Sequence, residues 1–284
     1  MRIAIIGSNG QLGTDLVTVL GSDHDVIPFS HEDIEVSDYF SCIALKEHQP
    51  DVILNTAAFH KTDQCEEDSM KTFSVNALGA RNIASISKEI NATSVYISTD
   101  YVFNGTKKKP YTEEDIPTPI NTYGVSKLAG ECFTSQNPKH YIARIASVFG
   151  CAGASGKGGN FVETMLTKAK NNETITVVDD MWMSPTYTKD ASTLLKKMLE
   201  QKILYGVYHA TNAGYCSWYQ FAKEIFQLTG LTPDLKPIKT DPNYGKARRP
   251  KFSALVSTKL CEHALELRNW KDALKAYLVE KGHI

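Results

Sequence analysis

Tyr123 and Lys127 are the residues of this chain best placed to do chemistry together. They stand four positions apart in Asn121-Thr122-Tyr123-Gly124-Val125-Ser126-Lys127. On a helix that spacing puts both on one face. A phenol normally loses its proton near pH ~10, and an ammonium close by favours the phenolate. Moving a tyrosine from ~10 to ~7 requires about 4 kcal/mol, at ~1.4 per unit. One cation at about 4 Å supplies roughly that much at an effective dielectric of ~20. The pair would then serve as a general acid near neutral pH. The same spacing also occurs by chance in ordinary surface helices, so the surrounding elements must decide.

The first of these elements is at the N-terminus. Arg2-Ile3-Ala4-Ile5-Ile6 is a short apolar run suited to a buried parallel strand. Gly7-Ser8-Asn9-Gly10-Gln11-Leu12-Gly13 follows at once, and Thr14 to Leu20 reads as a helix. Strand, glycine turn and helix form the setting that a dinucleotide fingerprint requires. Glycines at 7, 10 and 13 permit a tight turn and close approach of a pyrophosphate. The helix N-terminus would face that anion with free N–H groups. A glycine turn with no ligand is the plainer alternative.

Strand and helix signals alternate through the first half. Strands are expected at 25–29 (shortened by Pro28), 51–55, 93–98 and 140–144, with helices at 38–48 and 69–90. This alternation predicts a Rossmann-like doubly wound parallel sheet over residues 1–150. After Gly150 the pattern changes. Residues 151–159 form a glycine-rich loop, helices are expected at 161–169, 190–201 and 218–228, and a strand at 174–178. A strand at 206–210 would return to the main sheet, and residue 254 onward reads as mostly helical. Residues 151–284 are therefore expected to form a smaller, interleaved lobe that binds substrate.

Composition narrows the function classes. Lys and Arg total 31 against 32 Asp and Glu, a formal charge of −1. That balance gives no support for nucleic-acid or membrane-surface binding. The six cysteines are scattered without metal-ligand spacing, so no metal site is expected. No apolar run reaches the ~18 residues of a membrane span. A cytoplasmic protein with reduced thiols is the economical expectation.

Active sites in open parallel sheets gather at the carboxyl ends of strands. Asn55-Thr56-Ala57-Ala58 ends the third strand and Ser98-Thr99-Asp100-Tyr101 the fourth. A Thr99 hydroxyl could bond a substrate carbonyl beside Tyr123, or merely cap its strand. Together with Val102-Phe103, Gly124, Ser126 and the glycine turn, these segments resemble the extended short-chain dehydrogenase/reductases. More closely, the chain resembles the dTDP-4-dehydrorhamnose reductase family. Gly159-Asn160-Phe161-Val162, Val177-Val178-Asp179-Asp180, Ser184-Pro185-Thr186, Cys216-Ser217-Trp218 and Arg249-Pro250-Lys251-Phe252-Ser253 extend the likeness into the second lobe.

The resemblance implies NADPH- or NADH-dependent reduction of the C4 ketone of a nucleotide-activated 4-keto-6-deoxyhexose, most simply dTDP-4-dehydro-L-rhamnose. Thr99, Tyr123 and Lys127 would be the catalytic triad. Gly7, Asn9, Gly10, Gln11, Leu12 and Gly13 would surround the pyrophosphate. Asp33 and Ile34 would lie near adenine. Ala57 and Ala58 would admit the ribose or nicotinamide, with Tyr123 and Lys127 beyond. His60, Thr99, Tyr101, Tyr123, Asn160 and Arg249 would face the sugar nucleotide, and Arg249 offers a planar fork suited to phosphate. A homodimer is a family expectation.

Three departures from the family pattern stand at the sugar side. The family commonly has threonine where this chain has His60, valine where it has Thr62, and tryptophan where it has Ser147. A missing tryptophan removes a large apolar wall, which leaves the exact sugar open. His60 would relay a proton, pack or bond its loop; residues 151–159 would be a lid or an insertion. The acidic residue expected ~20 positions past the glycines to hold a ribose 2′-OH arrives only at Glu32 and Asp33, and no arginine is placed for a 2′-phosphate. Dual use of NADH and NADPH is the expectation. Rival readings are an epimerase or dehydratase of the same superfamily, where Asp100 would matter, and a regulatory subunit that binds cofactor without turnover.

Overall fold

The computed structural model describes residues 1–153, 159–241 and 245–284. Its central element is a parallel six-stranded sheet. The strands are β1 (Arg2–Ile6), β2 (Asp25–Phe29), β3 (Val52–Asn55), β4 (Thr93–Thr99), β5 (His140–Ile145) and β10 (Gly206–His209). Their order is β10-β5-β4-β3-β1-β2. Ile3, Ile5, Ile53 and Leu54 are fully buried, as a sheet covered on both faces requires. The chain leaves β1 for β2 on one side and then crosses to β3 on the other. That reversal opens a crevice at the carboxyl ends of β1 and β3, where ligands bind in such sheets.

β2 runs through Pro28 instead of stopping before it. The strand lies at the sheet edge and pairs only with β1, so a missing N–H on its open side costs no ladder bond. One sheet face packs Ile3, Ile5 and Leu54 against Leu16 and Leu20 of the Gln11–Gly21 helix and Leu194, Leu195 and Met198 of the Thr188–Gln201 helix. The other packs Ala4, Ile6 and Ile53 against Ile83 and Ile86 of the Gly79–Glu89 helix.

The helix expected over 69–90 is interrupted. Ser69–Phe73 is α-helical, Ser74–Leu78 forms a π turn, and the α-helix resumes at Gly79. The wider turn carries Asn76, which is fully buried, and such turns often mark functional positions.

The second lobe has its own core. It includes Phe149, Val162, Leu166, Phe221, Trp270 and Tyr277. Short strand pairs frame it: β6 (Val148–Phe149) with β9 (Thr186–Tyr187), β7 (Ile175–Val178) with β12 (Leu235–Ile238), and β8 (Trp182–Met183) with β11 (Cys216–Ser217). The stretch after residue 254 is less helical than expected, with helices only at Lys259–Glu262 and Trp270–Glu280. Backbone bonding explains the difference. Trp182 N donates to Lys251 O, Ser253 N to Trp182 O, Tyr111 N to Ala254 O and Val256 N to Tyr111 O. Residues 251–256 are thus held extended, as a strap between the lobes. Among the described residues no helix is long and apolar enough to cross a membrane.

Candidate active site

The Thr122–Thr134 helix carries Tyr123 and Lys127, and its N-terminus is fixed from three directions. Asn121 caps it by accepting from Gly124 N at 2.7 Å, while its Nδ2 donates to Arg248 O at 2.7 Å. Glu66 accepts from Thr122 N at 2.8 Å. Two glycines let this helix lie unusually close to the sheet. A Cβ on Gly124 would fall 2.1 Å from Tyr101 O, and one on Gly130 2.3 Å from the Tyr96 hydroxyl oxygen. The carboxyl end of β4 is thereby brought against the phenol.

The Thr99 hydroxyl lies beside the Tyr123 phenol and favours its ionised form. Thr99 Oγ1 donates to Asp100 Oδ1 at 3.0 Å and accepts from Tyr101 N at 3.2 Å. The Tyr101 ring meets Tyr123 edge-on at 6.0 Å. Lys127 is 2% exposed, and its Nζ lies 4.0 Å from the centroid of the Tyr96 ring. The three residues expected to act together are therefore gathered in one place.

Their electrostatics differ from the expectation. The Tyr123 phenol is pushed well above its ordinary range by burial, and the Thr99 hydroxyl is the group opposing that rise. Lys127 is itself pushed down to about 7, also by burial. The simple picture of an ammonium dragging the phenol toward neutrality fails because the same dry pocket penalises both charged forms. Asp100 behaves likewise. Burial pushes its carboxyl up to about 6, against the nearby Ser253 and Thr99 hydroxyls, and its Oδ2 accepts no hydrogen bond.

The glycine turn has the shape a pyrophosphate needs. Gly7 takes a left-handed backbone, φ +76°, and a Cβ there would meet Thr56 Oγ1 at 2.6 Å. A Cβ on Gly13 would fall 2.1 Å from Gly7 O, so helix and turn can pack this tightly only without one. Gly10 stands at the helix start with no side-chain cap, leaving first-turn N–H groups for a ligand. Among the described residues the buried Gln11 Oε1 has no partner, while Gln11 Nε2 donates to Val148 O at 3.0 Å. These features fit a dinucleotide. Asn9 is exposed at the turn, and Ala57 and Ala58 are partly exposed across the crevice at the end of β3.

The two expected adenine contacts present different groups. Asp33 is exposed just past β2; its carboxylate accepts from Ser30 N and Ser30 Oγ at 2.7 Å, which holds it below the usual range. Ile34 is 2% exposed and packs with Val36 and Cys42, so its side chain belongs to the core and only its backbone is left for a base. Leu12, 7% exposed, also packs inward and leaves only its backbone for the anion.

At the mouth beyond Tyr101, Arg249 is paired with Asp63 at 2.6 Å and donates to Thr62 Oγ1 at 3.3 Å and Ala247 O at 3.1 Å. Asp63 Oδ1 also accepts from Lys246 N and Ala247 N at 2.8 and 2.9 Å. Sequence reasoning singled out Arg249 but missed Asp63, which is 186 positions away. His60 is partly exposed, with Nδ1 3.5 Å from Ala58 O. Asn160 is engaged structurally. Its Oδ1 caps the Phe161–Lys170 helix, and its Nδ2 donates to Gly150 O and the Tyr277 hydroxyl, each at 3.0 Å. Ser147 takes a left-handed backbone, φ 43°. Residues 154–158 of the glycine-rich loop lie outside the described residues, and with them the question of a lid.

Asn76, Tyr96 and Glu131 escaped sequence reasoning. Asn76 Nδ2 donates to Phe59 O at 2.9 Å and Ser126 Oγ at 3.0 Å, its Oδ1 accepts from Phe59 N at 2.8 Å, and its backbone O accepts from Tyr96 OH at 2.8 Å. One residue thus ties the loop after β3, the floor under Lys127 and the catalytic helix. An asparagine amid the apolar spacing of residues 73–90 was the available signal.

Comparison with known proteins bears on this geometry. Residues 1–282 match the family model described as RmlD substrate binding domain. The chain is 37% identical over 284 residues to the spore coat polysaccharide biosynthesis protein SpsK of Bacillus subtilis, covering 99% of this chain and 98% of that one. A dTDP-4-dehydrorhamnose reductase from Clostridium acetobutylicum superposes with a TM-score of 0.92 at 38% identity, covering 99% and 100% of the two chains. The Bacillus anthracis dTDP-4-dehydrorhamnose reductase, solved in complex with NADP, superposes with a TM-score of 0.93 at 36% identity, covering 98% and 99%.

Proposed function

The chain belongs to the dTDP-4-dehydrorhamnose reductase family, and from that premise we propose that it is an NAD(P)H-dependent reductase of the C4 ketone of a dTDP-activated 4-keto-6-deoxyhexose. The reading taken is conversion of dTDP-4-dehydro-L-rhamnose to dTDP-L-rhamnose for polysaccharide synthesis. The observation that carries it is Thr99, Tyr123 and Lys127 gathered at the carboxyl end of β4, beside the crevice that the glycine turn opens.

When bound, NAD(P)H supplies the hydride to the ketone carbon. Gly7, Asn9, Gly10 and Gly13, with the backbone of Gln11 and Leu12, would hold the pyrophosphate. Ala57 and Ala58 would border the ribose and nicotinamide. Tyr123 gives its phenolic proton to the ketone oxygen, so the carbonyl gains a hydride and a proton and becomes an alcohol. Burial that keeps the phenol protonated at rest suits a donor whose proton must be present before hydride arrives. Thr99 turns its hydroxyl from Asp100 toward the same oxygen. Lys127, near half-charged at neutrality, stabilises the forming phenolate when it carries its proton. Arg249, preset by Asp63, meets the sugar-nucleotide diphosphate, with Tyr101 and His60 along the sugar. Residues 151–284 supply most of the substrate lobe. Asn160 acts by holding that lobe's first helix. A cytoplasmic homodimer belongs to the same proposal.

The test is NAD(P)H oxidation by the purified protein against a panel of 4-keto-6-deoxy sugar nucleotides, with product stereochemistry read by NMR. We expect turnover that consumes one NAD(P)H per alcohol formed. Water loss or epimerisation without net cofactor oxidation would favour a different enzyme, and cofactor binding without turnover a regulatory subunit. Running both cofactors tests dual use, which a kcat/KM ratio beyond about a thousand, roughly 4 kcal/mol, would exclude.

A further inference from the structure

Behind Lys127 stands an ion pair that the steps above do not use. Glu131 follows Lys127 by four residues in the same helix, so its carboxylate lies one turn further along the same face. Its Oε1 accepts from Ser98 Oγ at 2.5 Å and Arg144 Nε at 2.9 Å, and its Oε2 from Arg144 Nη2 at 2.7 Å. Both side chains are buried, Glu131 6% and Arg144 4% exposed. Arg144 is held in turn, 5.2 Å from the Phe103 ring centroid and with Nη1 3.5 Å from His209 Nε2. Ser98 immediately precedes Thr99, so this one carboxylate joins the catalytic helix to the catalytic strand. A buried ion pair is a weak source of net stability, because desolvation offsets the attraction.

We propose that Glu131 is a positioning residue for ketone reduction: clamped by Arg144 and Ser98, its carboxylate favours the ammonium form of Lys127 inside a dry pocket, beside Tyr123. This rests on the reading of Tyr123 and Lys127 as the acting pair. Burial lowers Lys127, and the Glu131 carboxylate is the group that opposes the fall. Among the other described groups near this pair, Asp100 is a carboxylate at working pH, and its charge acts on Tyr123 and not on Lys127. Tyr123 and Tyr96 are phenols that burial keeps protonated, from the helix and from β4. His209 on β10, behind Arg144, is pushed by burial to about 4 and is neutral at working pH. Asp100, past Thr99, has its carboxyl turned to the Thr99 hydroxyl. Arg144 on β5 is the cation paired with Glu131.

Two substitutions separate this role from simple support of the fold. Glu131→Gln removes the anion and leaves the Arg144 cation; Arg144→Met does the reverse. The pH profile of kcat is measured for each, and Lys127 is titrated by ¹⁵N-lysine NMR in the substrate-free protein. We expect Glu131→Gln to move the Lys127 titration, and the alkaline limb of kcat, down by about one pH unit. At about pH 8 that is roughly a tenfold loss, shrinking to under about threefold near pH 6. Arg144→Met should leave both readouts in place or move them up. A downward shift in both variants, or none in Glu131→Gln, overturns the proposal. If one variant fails to fold, Ser98→Ala, which frees one carboxylate bond, must move the Lys127 titration downward; no shift overturns the proposal. The NMR titration needs no turnover, so it stands apart from the activity reading, whose own failure would be an unchanged rate in Lys127→Met.

Discussion

At about pH 8 the Lys127 amine is mostly neutral inside the fold and charged in the unfolded chain, since burial lowers it to about 7 from the ordinary lysine range near ~10.4. Between those values the unfolded chain binds more protons, so this residue's contribution to stability rises with pH across the window. Below about 7 both states are protonated and the contribution stays flat at its least favourable level. We expect Lys127→Met to flatten that rise between about pH 7 and pH 10, read as urea unfolding free energy at several pH values. An unchanged slope would mean that the amine is not desolvated in the native state. At this scale the pair itself was legible in the sequence, because Tyr123 and Lys127 lie on one helix face whatever surrounds them. Their charge states were not, because those depend on Tyr96, Glu131 and the closeness that Gly124 and Gly130 allow.

Elements were legible where their neighbours are local. β1, the glycine turn and the Gln11–Gly21 helix follow from apolar spacing and three glycines, and they line the crevice proposed for the cofactor. The π turn at Ser74–Leu78 was hidden, because its cause lies in distant partners of Asn76: Phe59, Tyr96 and Ser126. The strap at 251–256 was hidden for the same reason, its bonds going to Trp182 and Tyr111. Asn160 shows how a family resemblance can point to a residue whose local work is structural. We expect Asn160→Ala to destabilise the protein by about 1–2 kcal/mol through the lost cap, with further loss from its buried bonds, and to leave KM for the sugar nucleotide within about threefold. A normal melting curve with KM raised tenfold would place Asn160 on the substrate instead.

Across the whole molecule, the cleft is closed by contacts between residues far apart in sequence. Asp63, on the Thr62–Glu67 helix after β3, gathers Arg249, Lys246 N and Ala247 N from the segment that returns from the second lobe. Gly245 makes this possible. It takes φ +72°, and a Cβ there would meet Asp63 Oδ1 at 2.5 Å and Arg249 Nη1 at 2.9 Å. The carboxylate of Asp63 is held below its usual range by the Ala247 N–H and by Arg249. An arginine held in this way would meet the proposed diphosphate without first being ordered. We expect Arg249→Ala to raise KM for the sugar nucleotide at least about tenfold while kcat falls less, the pattern of lost binding rather than lost chemistry. Equal losses in kcat and kcat/KM would put Arg249 at the reacting centre.

Ketone reduction as proposed requires Tyr123 as the proton donor. Substrate-dependent NADPH oxidation with dTDP-4-dehydrorhamnose, compared between the unaltered protein and Tyr123→Phe at neutral pH, tests it most directly. We expect kcat to fall by about 10²–10⁴, the usual worth of a placed general acid, with the fold and cofactor affinity retained. A phenylalanine variant whose rate stays within about tenfold of the parent, or a parent that oxidises no cofactor with this ketone, would contradict it.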